Sequence, residues 1–116
     1  MPSVVRTVAF TAVLVLTACG GSSEPDPSCT EPAPTSSVQL ADFVFAPECI
    51  GAAKGDTIAL ENTGVTPHTF TVQGTDVDVN VKVGAGGEAD LTGVAAGAYA
   101  VTCTYHPQMT GTIVVS

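Results

Sequence analysis

Apolar residues follow two different patterns along the chain. Positions 8–16 form one nearly continuous apolar run, whereas from position 38 onward apolar residues recur in short segments separated by turn-forming residues. The clearest of these segments, Val77–Val83, alternates valine with a polar residue at every step. Such alternation predicts a strand with one buried and one solvated face. No window shows a sustained 3.6-residue apolar period, so strands rather than helices are expected here.

The short apolar segments predict seven strands. These are Val38–Phe45, Thr57–Asn62, His68–Gln73, Val77–Val83, Glu88–Thr92, Ala98–Thr104 and Gly111–Val115. Turn-forming residues separate them, including Lys54-Gly55-Asp56 and the glycine-rich stretches 84–87 and 93–97. Short strands at this spacing predict one all-β domain over residues 38–116, built as a sandwich or Greek-key barrel of about seven or eight strands.

Residues 1–19 have the organisation of an export signal. One cation, Arg6, precedes the apolar run, which is shorter than the roughly 20 residues of a membrane span. The run ends in Leu16-Thr17-Ala18-Cys19, which resembles the bacterial lipobox. We expect a lipoprotein signal peptide over residues 1–18 and a lipid anchor at Cys19. The exported protein would then be held at the periplasmic or outer-surface side of a membrane. An ordinary signal peptide is the alternative.

Residues 19–37 differ in composition from the segments that follow. After Cys19 they consist mainly of Gly, Ser, Thr, Pro and acidic residues, with Cys29 and Ala33 among the few other types. Such a segment cannot bury a hydrophobic core. We therefore predict a disordered tether between the lipid anchor and the domain.

The charge balance limits the possible partners. The chain has 11 acidic and three basic residues, a formal net charge of −8. Because Arg6 belongs to the predicted signal, the exported part has two lysines against the same 11 acids and carries −9. Such a surface repels phosphate backbones and excludes nucleic-acid binding. The acidity either keeps the protein soluble or steers a basic partner, such as a cationic cytochrome, towards it.

The residues with metal-binding chemistry are concentrated near the C-terminus. Cys103, His106 and Met109 stand three residues apart on a predicted loop, and the only other histidine, His68, begins an earlier predicted strand. Two imidazoles, one thiolate and one thioether form the ligand set of a mononuclear blue-copper site. The imidazoles suit Cu(II) and the soft sulfurs suit Cu(I), so such a site needs little reorganisation when an electron is exchanged.

Each of these residues has a simpler interpretation when taken alone. A single histidine is more often a surface or structurally bonded residue, and Met109 alone would be core filler. Cys103 alone could form a disulfide with Cys49, with no metal, which would leave Cys29 as a free thiol in an oxidising compartment. The joint pattern favours copper over these alternatives.

The segment 38–116 resembles the cupredoxins, in particular the plastocyanin and amicyanin branch. Four motifs carry the resemblance: Phe43-Val44-Phe45-Ala46-Pro47, Lys54-Gly55-Asp56-Thr57-Ile58, Asn62 with Pro67-His68, and Met109 to Val115. The Cys-x₂-His-Pro-x-Met loop is similar to the short amicyanin type. The resemblance implies a cupredoxin-like Greek-key fold, one type 1 copper per chain, and His68, Cys103, His106 and Met109 as its ligands.

One position departs from this family's pattern. The residue after the first histidine ligand is usually Asn in this branch, where it helps to lock the two ligand loops together, and here it is Thr69. We expect the Thr69 hydroxyl to perform this role more weakly. The backbone N–H of Thr69 remains available to the Cys103 sulfur, whereas Pro107 has no N–H to offer.

The cysteine count agrees with this interpretation. If Cys19 is lipidated and Cys103 is a ligand, Cys29 and Cys49 remain as a disulfide pair. The resulting hypothesis is a membrane-anchored, monomeric electron carrier that cycles between Cu(II) and Cu(I) and exchanges electrons with redox protein partners through His106. Copper delivery or buffering is the alternative, and a metal-free structural lipoprotein is a third. An enzyme is not expected, because both histidines are already committed to the metal.

Overall fold

The computed structural model of the protein describes residues 24–116, so the predicted signal peptide and Cys19 lie outside the described residues. Within this range the chain forms nine strands. They are β1 (Ser37–Ala41), β2 (Val44–Ala46), β3 (Cys49–Ala52), β4 (Thr57–Asn62), β5 (His68–Val72), β6 (Asp78–Val81), β7 (Gly86–Asp90), β8 (Gly97–Cys103) and β9 (His106–Val115). From residue 24 to residue 116, no helix has the length and apolar character needed to cross a membrane.

The strands form two mixed sheets packed as a sandwich. The first has the order β2-β1-β4-β7 and the second the order β3-β9-β8-β5-β6. The pairs β1–β4 and β3–β9 are parallel, and every other pair is antiparallel. Because sequential strands repeatedly change sheet, neighbours in space are often distant in sequence. The prediction of an all-β sandwich is confirmed.

Alternating side chains of both sheets form the core between them. In β4, Ile58 and Leu60 point inward while their neighbours are exposed. Phe45 from the first sheet meets Phe70 from the second edge to face, with ring centroids 5.8 Å apart. Burial of each such side chain contributes about 1.5–3 kcal/mol relative to leaving it exposed. This core holds the ends of the strands in fixed positions, and the candidate site lies at one of those ends.

The structure differs from the predicted strands in three main places. The predicted strand Val38–Phe45 is a hairpin of β1 and β2, which turns at Asp42 and Phe43. Strand β3 was not predicted, since its four residues are too few to show a period. Strand β9 begins at His106 rather than Gly111 and continues its pairing with β8 past an irregularity at Thr102/Cys103. Both histidines of the predicted site therefore begin strands.

The prediction of a disordered tether up to residue 37 was wrong for residues 26–36, which we call the strap. Cys29 is buried and forms the predicted disulfide with Cys49. The backbone N–H of Asp26 donates to Thr112 Oγ1 at 2.7 Å, and that of Thr35 donates to the Gly51 carbonyl at 2.8 Å. Backbone hydrogen bonds and one covalent bond thus attach the strap to β3 and β9, although it has almost no apolar side chains.

We expect Gly51→Ala to loosen the strap. An added Cβ at Gly51 would lie 2.6 Å from the Ala33 carbonyl oxygen and 2.7 Å from that of Pro32. Because these oxygens belong to the backbone, they can move away only if the chain itself shifts. The free energy of unfolding should therefore fall by about 1–3 kcal/mol, as for other overpacked sites. Chemical denaturation and limited proteolysis within the strap measure the effect. Ala53→Val, at an exposed position two residues away, is the matched control. Equal stability and protease resistance of both variants would contradict this account.

Candidate metal centre

Four elements meet at one end of the sandwich. His68 begins β5, Cys103 ends β8, His106 begins β9, and the turn between β1 and β2 supplies Asp42 and Phe43. His68 Nδ1 lies 3.9 Å from Cys103 Sγ. The ring centroids of His68 and His106 are 5.2 Å apart, and that of Phe43 is 4.8 Å from that of His106. The fold therefore brings both histidines and Cys103 together across 39 residues of sequence.

Cys103 is a buried thiol whose sulfur has a defined partner. It is the only free cysteine among the described residues and is 2 % exposed. The backbone N–H of Thr69 donates to its sulfur at 3.3 Å, as expected from the sequence. An N–H donor stabilises negative charge on sulfur, and hydrogen bonds of this kind tune metal–thiolate sites.

Thr69 also joins the two segments that carry His68 and Cys103. Its hydroxyl accepts a hydrogen bond from the Thr104 backbone N–H at 2.8 Å and donates to Thr104 Oγ1 at 3.3 Å. It also lies 3.0 Å from Thr71 Oγ1, which donates to Asp78. The locking role expected of the Thr69 hydroxyl is therefore present.

We expect Thr69→Val to destabilise the protein by about 1 kcal/mol, because Thr104 loses the acceptor for its backbone N–H while the side-chain shape is retained. Thr69→Ser is the matched control, since it keeps the hydroxyl, and both variants keep the N–H that reaches Cys103. Urea denaturation of the metal-free proteins measures the difference. If valine and serine at this position give equal stability, the hydroxyl does not lock the loops.

His68 is fully buried, and the ring nitrogen that points away from Cys103 has a hydrogen-bond partner. Its Nε2 lies 2.9 Å from Asp42 Oδ1, so Nδ1 is the nitrogen turned towards Cys103. A hydrogen bond from the Val65 backbone N–H lowers the pKa of Asp42, and hydrogen bonds with Thr66 and His68 lower it further. Desolvation acts in the opposite direction but is outweighed, so the pKa is below its ordinary value. Asp42 is accordingly a carboxylate at neutral pH and accepts hydrogen bonds only.

The loop before His68 is ordered by Asn62. This buried side chain donates from Nδ2 to the carbonyls of Thr66 and Val81, and its Oδ1 accepts from the Gly64 N–H. Three hydrogen bonds of about 3 Å thus fix the backbone that leads into β5. Asn62 belongs to one of the motifs that carry the cupredoxin resemblance.

His106 lies at the edge of the cluster and is partly exposed. Its Nε2 is 3.4 Å from Thr66 Oγ1, and its ring packs against the exposed ring of Phe43. In both imidazoles Nε2 therefore lies next to a side-chain oxygen, that of Asp42 for His68 and that of Thr66 for His106. Nδ1 of His68 faces the Cys103 sulfur, which is the orientation that a shared metal ion requires.

Met109, the fourth predicted ligand, is fully buried on β9 and belongs to the same hydrophobic cluster as Cys103. Within residues 24–116, no three His, Cys, Asp or Glu side chains form a metal-binding group. The donor set fits copper by its chemistry, with two imidazoles, a buried thiol that already accepts an N–H bond, and a thioether buried in the same core. The assignment of all four as ligands stays a prediction.

Sequence reasoning missed two residues of this site. Nothing in the sequence distinguished Asp42 from the other acidic residues, and Phe43 was named only as part of a motif. Both lie inside a segment predicted as one strand. Asp42 is also 26 residues from His68 in the sequence. Their position depends on the hairpin turn, and no local periodicity reports it. The Asp42-Phe43 dipeptide preceding an apolar Val44-Phe45 pair was the only available signal for a turn.

A two-sheet sandwich with His and Cys side chains gathered at one end is the architecture of the cupredoxins. The chain matches the family model of the cupredoxin-like domain over residues 9–115, and it belongs to this family. No curated protein sequence matches the chain significantly.

Several solved structures share the fold. The copper-containing nitrite reductase (NirK) from Thermus scotoductus SA-01 is 26% identical, with a TM-score of 0.54 over 75% of this chain. The chain spans only 23% of that reductase. A purple cupredoxin from Nitrosopumilus maritimus is 18% identical, with a TM-score of 0.57 over 70% of this chain and 99% of the other. A reduced Cu(I) form of an amicyanin variant is 24% identical, with a TM-score of 0.59 over 84% and 95%.

Proposed function

We propose that the protein is a type 1 copper protein that carries single electrons outside the cytoplasm. The observation that supports this most strongly is the buried His68–Cys103 pair, with Nδ1 facing sulfur at 3.9 Å and His106 alongside. The similar nitrite reductase contains copper and the similar amicyanin form contains Cu(I), and both facts about those proteins agree with the proposal. One bound copper would exchange one electron between Cu(II) and Cu(I).

The donors of this site have different tasks. Cys103, His68 and Met109 are buried and would hold the metal away from water, which keeps the site rigid. His106 is the one proposed ligand that reaches the surface, so electrons would enter and leave at its edge. The chain has two histidines, and both stand at this site. We therefore propose a carrier rather than an enzyme.

The surface beside His106 suits close contact with another protein. Phe43, Val44, Val65 and Tyr105 are large apolar side chains that are all more than 40 % exposed. The ring of Phe43 packs against that of His106, and Val44 follows Phe43 in the chain. The backbone N–H of Val65 donates to the side chain of Asp42, which precedes Phe43. We call these four residues the apolar rim. An apolar surface around the electron port allows a partner to approach without displacing tightly held water.

The spectrum of the purified protein tests the copper assignment. With one equivalent of Cu(II) and no reductant, we expect intense visible absorption from charge transfer between the Cys103 sulfur and copper, and an EPR signal of one copper per chain. A protein that stays colourless after loading would contradict the proposal.

The distribution of the acidic residues favours a partner of opposite charge. Asp76, Asp78, Glu88 and Asp90 line one groove between the edge strands β6 and β7. Two hydrogen-bond contacts, Thr69 to Thr71 and Thr71 to Asp78, connect the near side of this groove with the residue that follows His68. We propose that the groove steers a basic partner, such as a cationic cytochrome, towards the apolar rim.

We expect the second-order rate of electron transfer from such a cytochrome to fall about tenfold or more as ionic strength rises through 0.1 M, where the Debye length shrinks to about 10 Å. Asp76→Asn with Glu88→Gln should reduce both the rate and its salt dependence. Glu24→Gln with Glu31→Gln, which neutralises two exposed acids outside the groove, is the matched charge control. Stopped-flow reduction at several salt concentrations measures this. A flat salt dependence in the unaltered protein would leave only a solubility role for the acids.

We further propose that Cys19 carries a lipid and that this anchor keeps the protein beside a membrane. The strap begins at Asp26, so the six residues between Cys19 and Asp26 span at most about 20–25 Å when extended. The metal centre would then stay close to the membrane surface and to partners bound there. The mass of the N-terminal peptide, and detergent partitioning of Cys19→Ser, test this part of the proposal.

A further inference from the structure

We propose that Asp42 is a positioning residue for the metal centre: its carboxylate holds His68 as the Nε2–H tautomer, aims Nδ1 at the Cys103 sulfur, and favours Cu(II) over Cu(I). This inference rests on the proposed function where it concerns copper. The part that concerns the His68 tautomer can be tested without any metal.

The Asp42 side chain is held at three points. Oδ1 lies 2.9 Å from His68 Nε2 and accepts from Thr66 Oγ1 at 2.9 Å, and Oδ2 accepts from the Val65 N–H at 2.9 Å. Two of these partners belong to the loop that leads into β5, and the third is the first residue of that strand. Asp42 therefore ties the β1–β2 turn to the segment that carries His68.

This geometry determines which nitrogen of His68 carries the proton. A carboxylate accepts hydrogen bonds and cannot donate them, so the ring nitrogen facing it must be protonated. In a neutral imidazole the other nitrogen then has a free lone pair, and that nitrogen is Nδ1, 3.9 Å from Cys103 Sγ. Without Asp42, either nitrogen could carry the proton, because no other hydrogen-bond partner among residues 24–116 faces Nε2.

The carboxylate also changes the charge next to the centre. Among the described residues, His68 is the only basic side chain within ion-pair distance of Asp42. The negative charge is thus not neutralised by a lysine and acts on the site through the imidazole. Because Cu(II) carries one more positive charge than Cu(I), a nearby negative charge stabilises Cu(II) more strongly. A carboxylate bonded to a ligating imidazole also raises the basicity of that ligand.

Gly64 provides the space that Asp42 occupies. A Cβ added at Gly64 would collide with Asp42 Oδ1, lie 2.7 Å from Cγ, and lie 3.0 Å from the Asp42 backbone nitrogen. Gly64→Ala therefore displaces the carboxylate while leaving its charge in the molecule. This offers a way to separate the position of Asp42 from its charge.

Three variants and one control test the proposal on the full exported chain. Asp42→Ala removes the acceptor and the charge, Asp42→Asn keeps an acceptor oxygen and removes the charge, and Gly64→Ala moves the carboxylate. Asp76→Asn makes the same charge change in the acidic groove. Long-range proton–nitrogen NMR of the metal-free proteins at about pH 8, where an ordinary imidazole is neutral, reports the His68 tautomer. The reduction potential of the copper-loaded proteins reports the preference for Cu(II).

We expect His68 to be the Nε2–H tautomer in the unaltered protein, in Asp42→Asn and in Asp76→Asn, and to be a mixture of tautomers in Asp42→Ala and Gly64→Ala. Loss of an outer hydrogen-bond partner typically costs 10–100-fold in metal affinity. A tenfold loss for Cu(II) alone raises the potential of a one-electron couple by about 59 mV. For Asp42→Ala and Asp42→Asn we expect the reduction potential to rise by at least the amount that a tenfold loss of Cu(II) affinity gives. For Asp76→Asn we expect less than half of that rise in potential.

Either of two results would overturn the proposal: a proton on His68 Nδ1 in the unaltered protein, or an Asp42→Asn potential equal to that of Asp76→Asn. If Asp42→Ala does not fold, Gly64→Ala decides the tautomer and Asp42→Asn decides the potential. If no protein in the series binds copper, the proposed function fails, and the NMR measurement still decides whether Asp42 positions His68.

Discussion

Replacing Cys103 with serine should abolish the intense visible absorption of the copper-loaded protein completely. The band arises from charge transfer between a thiolate sulfur and Cu(II), and a hydroxyl cannot supply it. Cys103 is the only free cysteine in residues 24–116, so no described thiol can replace it. Optical titration with Cu(II) measures the effect, and circular dichroism shows whether the sandwich is retained.

Met109→Gln is the matched variant for this experiment. In a trigonal His₂Cys site the axial thioether is a weak ligand, so its replacement by an amide oxygen should keep a coloured site with a changed reduction potential. A Cys103→Ser protein that keeps the band, or a Met109→Gln protein that loses copper altogether, would show that the roles of these two residues are assigned wrongly.

Removing the Cys29–Cys49 disulfide should cost about 3 kcal/mol of stability. The bond closes a loop with a sequence separation of 20 residues, and the chain-entropy model gives this magnitude for a loop of that length. For a domain of this size, such a loss lowers Tm by more than about 10 °C. Denaturation of the metal-free Cys29→Ala/Cys49→Ala protein measures it, and proteolysis within the strap should become faster.

Reduction provides the control for the disulfide. The unaltered protein, unfolded in the presence of a strong thiol reductant, should match the double variant in stability, whereas the double variant should not respond to the reductant. A double variant within about 1 kcal/mol of the oxidised protein would indicate that the hydrogen bonds of Asp26 and Thr35 hold the strap without the covalent bond.

Much of the strand pattern was predictable because it is local. Alternation in Val77–Val83 and in Thr57–Asn62 reflects the two-residue period of a strand, and both segments are strands in the structure, although β6 is shorter than predicted. The period fails where an element is very short, as in β3, or where a turn interrupts an apolar stretch, as at Asp42. These failures explain why nine strands are present where seven were predicted.

The strap shows how composition can mislead. Gly, Pro, Ser and acidic residues cannot build a core of their own, and this property predicted disorder. A segment can nevertheless be ordered on a core built elsewhere, through a disulfide and backbone hydrogen bonds that any residue type can make. Gly51, which leaves room for the Ala33 and Pro32 carbonyls, belongs to the receiving strand and cannot be recognised from the strap itself.

Local periodicity, residue type and cysteine count were enough to predict the all-β class and the Cys29–Cys49 pairing, and to propose His68, Cys103, His106 and Met109 as a donor set. The tertiary structure decided which groups surround those donors. Asp42 reaches His68 and Phe43 reaches His106 only because the β1–β2 turn lies over the end of the second sheet. Contacts between residues so distant in sequence follow from strand order and packing, which no local pattern in the chain records.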